Sequence, residues 1–122
     1  MLILVATDAD EVFEEVDAAL GSASVDVRRV RDGRAVRAAV LELDPTVVVV
    51  DLQIGSMGGV AVTIDLRNEQ GAGRVPPQRI VLLVDRPADA FLAERSGADV
   101  WLHKPLDASA IARAVEQVVA VG

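Results

Sequence analysis

Two uninterrupted apolar runs, Val47-Val48-Val49-Val50 and Ile80-Val81-Leu82-Leu83-Val84, do most to limit what this chain can fold into. Runs of this length are short for a buried helix and lack the alternation of a half-exposed strand. They fit strands covered on both faces. Leu2-Ile3-Leu4-Val5-Ala6 is a third run of the kind. Such strands need helices above and below, and the intervening segments supply them. Val12, Phe13, Val16, Ala19 and Leu20 recur at helical spacing, with Asp8 or Asp10 as the expected cap and Gly21 as the stop. After the Asp32-Gly33 turn, Val36, Ala39, Val40 and Leu43 repeat the pattern up to Pro45. The spacing predicts a third helix near Gly59–Glu69 and a short fourth over Ala88–Arg95, with Pro87 near its first turn. A fifth, capped by Asp107, turns Ile111, Val115, Val118 and Val119 inward.

Two weaker strands complete the set. Val25–Val30 alternates loosely, as a sheet edge does, and Asp99–His103 precedes the last helix. Five strands alternating with five helices predict a doubly wound, flavodoxin-like (βα)5 fold: a parallel sheet of order 2-1-3-4-5 with helices on both faces. A length of 122 residues suits one domain over 1–122, with no output domain after the last helix.

Composition narrows the function. The absence of cysteine excludes disulfides and thiolate metal sites. No apolar run approaches the ~20 residues that span a bilayer. No basic segment followed by an apolar one opens the chain, so a cytoplasmic protein is expected. The net charge of −7 disfavours nucleic acid or an anionic membrane as partner, and two Phe with one Trp offer no base-stacking platform. Among twelve basic residues only Lys104 is a lysine, which suggests a site wanting a compact ammonium rather than a planar fork.

The chemistry is expected where strand order reverses, outside the carboxyl ends of the first and third strands. Asp8 follows the first and Asp51 ends the third, so the topology brings the two carboxylates together. At 4 Å such a pair repels by about 4 kcal/mol at an effective dielectric near 20. A cation joining them removes the conflict, and an open set of oxygen ligands favours Mg²⁺. Lys104, after the fifth strand and before Pro105, reaches the same edge and offers a point charge to a phosphoryl oxygen. Each feature has a plainer explanation as a cap, a turn or a solvated loop; three at one edge is the signal.

These residues resemble the receiver domain of bacterial two-component signalling, a CheY-like response regulator, along essentially the whole chain. Ile3–Asp8, Val49–Gly59 with Asp51, Met57 and Gly59 in register, and Gly97–Asp107 with Lys104-Pro105 carry the resemblance. It implies that Asp51 accepts a phosphoryl group from a sensor histidine kinase or other phosphodonor. It implies further that Asp8, Asp51 and the backbone carbonyl of Gln53 hold Mg²⁺, and that Lys104 bonds the phosphoryl group. Trp101 stands where such proteins place a switching aromatic, and Ala88, Phe91, Arg95 and the last helix flank it on the expected partner face. That face serves an unidentified protein target and is one through which receivers also form homodimers. Such a protein is a signalling module of a phosphorelay rather than an enzyme. The heavy use of Ala, Val, Asp and Arg is similar to that of proteins from high-GC bacteria.

Four positions depart from the pattern. Thr7 replaces the first member of the acidic pair, which weakens the expected hold on Mg²⁺. Val84 stands where Ser or Thr is usual, and a lost hydrogen bond to a charged oxygen costs roughly 1.5–3 kcal/mol. That loss is also expected to uncouple Asp51 from Trp101. Asp85 replaces a small residue and adds charge beside the phosphate. Gly55 replaces a proline and is expected to loosen the loop after Asp51. The leading expectation is thus an atypical, stand-alone receiver phosphorylated at Asp51. The alternative is a pseudo-receiver that binds its partner without phosphorylation. A flavin- or nucleotide-binding enzyme is a remote third, because Thr7-Asp8-Ala9-Asp10 lacks the glycines that cradle phosphate. His103 has no Ser or Cys partner in the sequence pattern and reads as a strand-end residue.

Overall fold

The computed structural model describes residues 1–121, the side chain of Val121 excepted. Five parallel strands, β1 (Leu2–Ala6), β2 (Asp26–Val30), β3 (Val47–Asp51), β4 (Ile80–Val84) and β5 (Val100–His103), form one sheet in the order β2-β1-β3-β4-β5. The order is the expected doubly wound one. β1 pairs with both β2 and β3, so strand order reverses beside it.

Pleating divides the core into two layers. Ile3, Val5, Val47, Val49, Val81 and Leu83 pack with α1 (Asp10–Leu20) and α5 (Ala108–Val121). Leu4, Ala6, Val48, Val50, Leu82 and Val84 pack on the other face with α2 (Val36–Leu43), α3 (Gly59–Gly71) and α4 (Ala90–Ser96). Every residue of β3 and β4 is buried, which is why those runs carry no alternation. Full burial of each Val or Leu stabilises by roughly 1.5–3 kcal/mol. Among the described residues, no helix is long and apolar enough to cross a membrane.

The element ends correct several expectations. Neither Asp8 nor Asp10 caps α1: Ala9 is the N-cap, and the Thr7 hydroxyl accepts the Ala9 N–H at 3.1 Å. Asp10 instead accepts from Arg29 at 2.7 Å and Arg31 at 3.3 Å. β2 starts at Asp26, since Val25 is used in a bridge to Ser22. α3 runs to Gly71 rather than Glu69, the Ala72 N–H still donating to the Asn68 carbonyl, while buried Glu69 accepts from Arg74. A 3₁₀ turn over Pro87–Asp89 precedes α4, which begins only at Ala90. Asp99 falls outside β5, its carboxylate accepting from the Ile80 N–H at 2.7 Å and from Arg67 at 2.9 Å.

Candidate functional site

The carboxyl ends of four neighbouring strands meet at Asp51, the last residue of β3, which is only 1% exposed. The Thr7 hydroxyl, just after β1, donates to its Oδ2 at 2.7 Å. The Gln53 backbone N–H donates to Oδ1 at 3.1 Å, and the Lys104 ammonium donates to Oδ1 at 2.6 Å. Lys104 follows β5, and its own N–H extends the ladder by donating to the Val84 carbonyl at 2.9 Å. The ladder therefore fixes where the lysine stem begins. Its ammonium also pairs with Asp85 Oδ1 at 3.1 Å, directly after β4. Burial alone would lower the lysine pKa, but the hydrogen bonds and charges of Asp51 and Asp85 outweigh it and raise it above the ordinary value.

Asp8 sits exposed at the rim, its Oδ2 accepting the Gly55 N–H at 3.1 Å. Gly55 therefore does more than loosen the loop. Its N–H ties the loop to Asp8, its carbonyl accepts from Gly33 at 3.1 Å, and a proline could make only the second bond. Gly59, at the start of α3, is required for a different reason. A Cβ there would lie 2.5 Å from the Asp51 carbonyl oxygen and 2.7 Å from the Leu52 Cα.

The oxygen donors suit Mg²⁺, though sparsely. A carboxylate has about four acceptor sites, and three donors already address Asp51, leaving one on Oδ2. With the Asp8 carboxylate and the Gln53 carbonyl, that is a hard-oxygen set of the kind Mg²⁺ completes with water. No three carboxylate or histidine side chains converge among the described residues, Thr7 standing where a further acid would make such a group. Two surface hollows of about 360 and 380 Å³ lie elsewhere, one lined by Arg79, Asp99 and Gln117, the other by Arg34, Met57 and Asp65.

A sequence model of the response regulator receiver domain matches residues 3–116. The chain belongs to the response regulator receiver family. The DNA-binding response regulator MtrA of Mycobacterium tuberculosis is 33% identical over 103 residues, which are 84% of this chain and 43% of MtrA. The receiver thus spans less than half the length of such relatives. A solved response regulator from Chloroflexus aurantiacus superposes with a TM-score of 0.87 at 20% identity, covering 98% of this chain and 97% of that one. The receiver domain of NtrX from Brucella abortus gives 0.84 at 19% identity, covering 98% and 99%. At these identities the two structures speak to the fold alone. The family is a signalling one, not that of a classical enzyme.

The receiver's other singled-out residues separate into two groups. Trp101 is half-buried and packs against the α2–α4 layer, while Val84 is fully buried within it. Phe91 is 60% exposed, with the Arg95 guanidinium 4.2 Å above its ring. His103 is exposed at the strand end. Sequence reasoning missed two contacts: the Asp85–Lys104 pair, and Asp89, whose buried carboxylate accepts the Asp85 and Arg86 N–H groups at 3.3 and 2.9 Å. The first was detectable in principle, since Asp85 and Lys104 follow adjacent strands.

Proposed function

We propose that this receiver accepts a phosphoryl group on Asp51 and passes the signal on by protein contact. The observation that carries the reading is the buried Asp51 carboxylate held 2.6 Å from the single lysine at an open sheet edge. Receiver domains interact with histidine kinases and effector domains, and generally bind Mg²⁺ at the phosphorylation site. In the step proposed, an Asp51 oxygen forms the bond to phosphorus. The phosphorus–nitrogen bond of the donor phosphohistidine breaks, its electron pair staying on the imidazole, which takes up a proton. Thr7 and the Gln53 N–H orient the carboxylate, and Lys104 follows the negative charge onto the phosphoryl oxygens. Asp8, Asp51 and the Gln53 carbonyl would hold Mg²⁺, which when bound neutralises charge between carboxylate and phosphate.

The output surface in this reading is the exposed Phe91–Arg95 pair of α4 beside Trp101. MtrA is named a DNA-binding regulator. With a net charge of −7, we assign the present domain a protein target rather than a phosphate backbone. A second reading, a module that binds its partner without phosphorylation, is favoured by Asp85, whose carboxylate already holds the Lys104 ammonium at 3.1 Å. Incubation with acetyl phosphate and millimolar Mg²⁺, followed by intact-mass measurement, separates the two. The first reading expects one added phosphoryl group in wild type and none in Asp51→Asn. Equal masses for the two proteins would leave only the second.

A further inference from the structure

We propose that Asp85 is the standing counter-ion of Lys104, a positioning residue that an anion arriving at Asp51 must displace. The inference rests on the reading of Asp51 as the anion-accepting residue and adds a gate to it.

The geometry that carries it is the division of one ammonium between two carboxylates. Lys104 Nζ lies 2.6 Å from Asp51 Oδ1 and 3.1 Å from Asp85 Oδ1, and the two carboxylates belong to the ends of adjacent strands. Asp51 has two further donors, Thr7 and the Gln53 N–H. Asp85 has none: its remaining oxygen, Oδ2, is buried and accepts no hydrogen bond among the described residues. A buried carboxylate oxygen without a donor is costly, so Asp85 depends on Lys104 far more than Asp51 does. Arg86, the neighbouring cation, is turned to Asp89 instead, at 3.2 Å.

The backbone keeps Asp85 in that place. Its N–H and that of Arg86 both donate to Asp89 Oδ2, and Asp89 is 2% exposed at the entry to α4. The carboxylate is thereby presented to the lysine by a fixed turn rather than by a wandering loop. A phosphoryl group on Asp51 adds negative charge and three strong acceptor oxygens within reach of the same ammonium. Lys104 cannot serve the newcomer fully and still neutralise Asp85. Asp85 thus lowers the affinity of the site for its anion, and with its side chain 28% exposed it has a short path to water when released.

The test uses the whole chain, Mg²⁺ and beryllofluoride as the phosphoryl probe. Because Lys104 is the only lysine, ¹⁵N-lysine labelling gives a single side-chain ammonium signal. In Asp85→Asn, which keeps size and removes charge, that signal should move and its protons should exchange faster with water. The same variant should bind beryllofluoride about fivefold more tightly, the scale of a partly exposed ion pair. Asp85→Glu should bring both readouts back toward wild type. An ammonium signal unchanged in shift and exchange overturns the proposal. So does a moved signal with beryllofluoride affinity equal to or weaker than wild type. Binding by neither protein, with the signal still moved by Asp85→Asn, overturns the acceptor reading of Asp51 and leaves the hold of Asp85 on Lys104 supported.

Discussion

The two halves of the sheet edge around Asp51 are built on different principles. On the β1 side a neutral hydroxyl, Thr7, meets the carboxylate at 2.7 Å, and the one acid there, Asp8, stays exposed at the rim. On the β4–β5 side a lysine is closed between two carboxylates, and the strand end beneath it, Val84, is apolar. The first side thus presents a neutral donor to Asp51, and the second a further carboxylate, Asp85, to Lys104. A carboxylate therefore stands against the lysine on one side of Asp51, while on the other side only a hydroxyl touches it. Charge balance at such a site is a property of the whole edge, and substitutions on its two sides have to be considered together.

The largest expected effect comes from breaking the lysine side. Lys104→Met leaves Asp51 buried with no compensating charge and strands Asp85, so a loss of about 3 kcal/mol in urea unfolding is expected. A loss below about 1 kcal/mol would show that the edge relaxes to admit water. Next is the hydroxyl side: Thr7→Val keeps the shape, removes a donor to a buried carboxylate, and should cost about 2 kcal/mol by the same measurement. Thr7→Asp combined with Asp85→Ala moves a carboxylate from the lysine side of Asp51 to the Thr7 side, and calorimetric titration should then find tighter Mg²⁺ binding than in wild type. Val84→Thr places a hydroxyl in the α2–α4 layer and should cost about 1 kcal/mol.

The smallest effect is one of pH. The folded-state pKa of Lys104 lies above its unfolded value, so the folded protein holds this proton more tightly. The resulting stabilisation is fully present below the unfolded lysine pKa, near 10.4, and is lost as pH rises through the folded one. Chemical unfolding followed between pH 9 and 11.5 should show a stability decline that is shallower in Asp85→Asn.

Most of the frame was legible because burial on both faces leaves a signature in sequence. β3 and β4 read as unbroken apolar runs, and from them the reversal of order beside β1 follows, which puts Asp51 and Lys104 at one edge. What was not legible turns on side chains choosing between partners of similar merit. Asp10 suits an N-cap, yet two arginines on and after β2 compete for it, and α1 has Ala9 as its N-cap with no side-chain cap bond. Asp99 suits a strand start until its carboxylate finds the Ile80 N–H. Asp89 falls in the first turn of the expected Ala88–Arg95 helix, and only the turn that buries it reveals its two backbone donors. Glu69 likewise looks like the end of a helix, yet it is buried and accepts from Arg74 while α3 runs on to Gly71.

Gly59 carries a consequence of another sort. The start of α3 rests against the Asp51 carbonyl because there is no side chain between them, and the spare distance is less than a methyl group. At Gly59 there is no smaller residue to move to and no larger one that fits. Any side chain there would push α3 off the Asp51 strand end, so the seat of the helix is a mutational dead end.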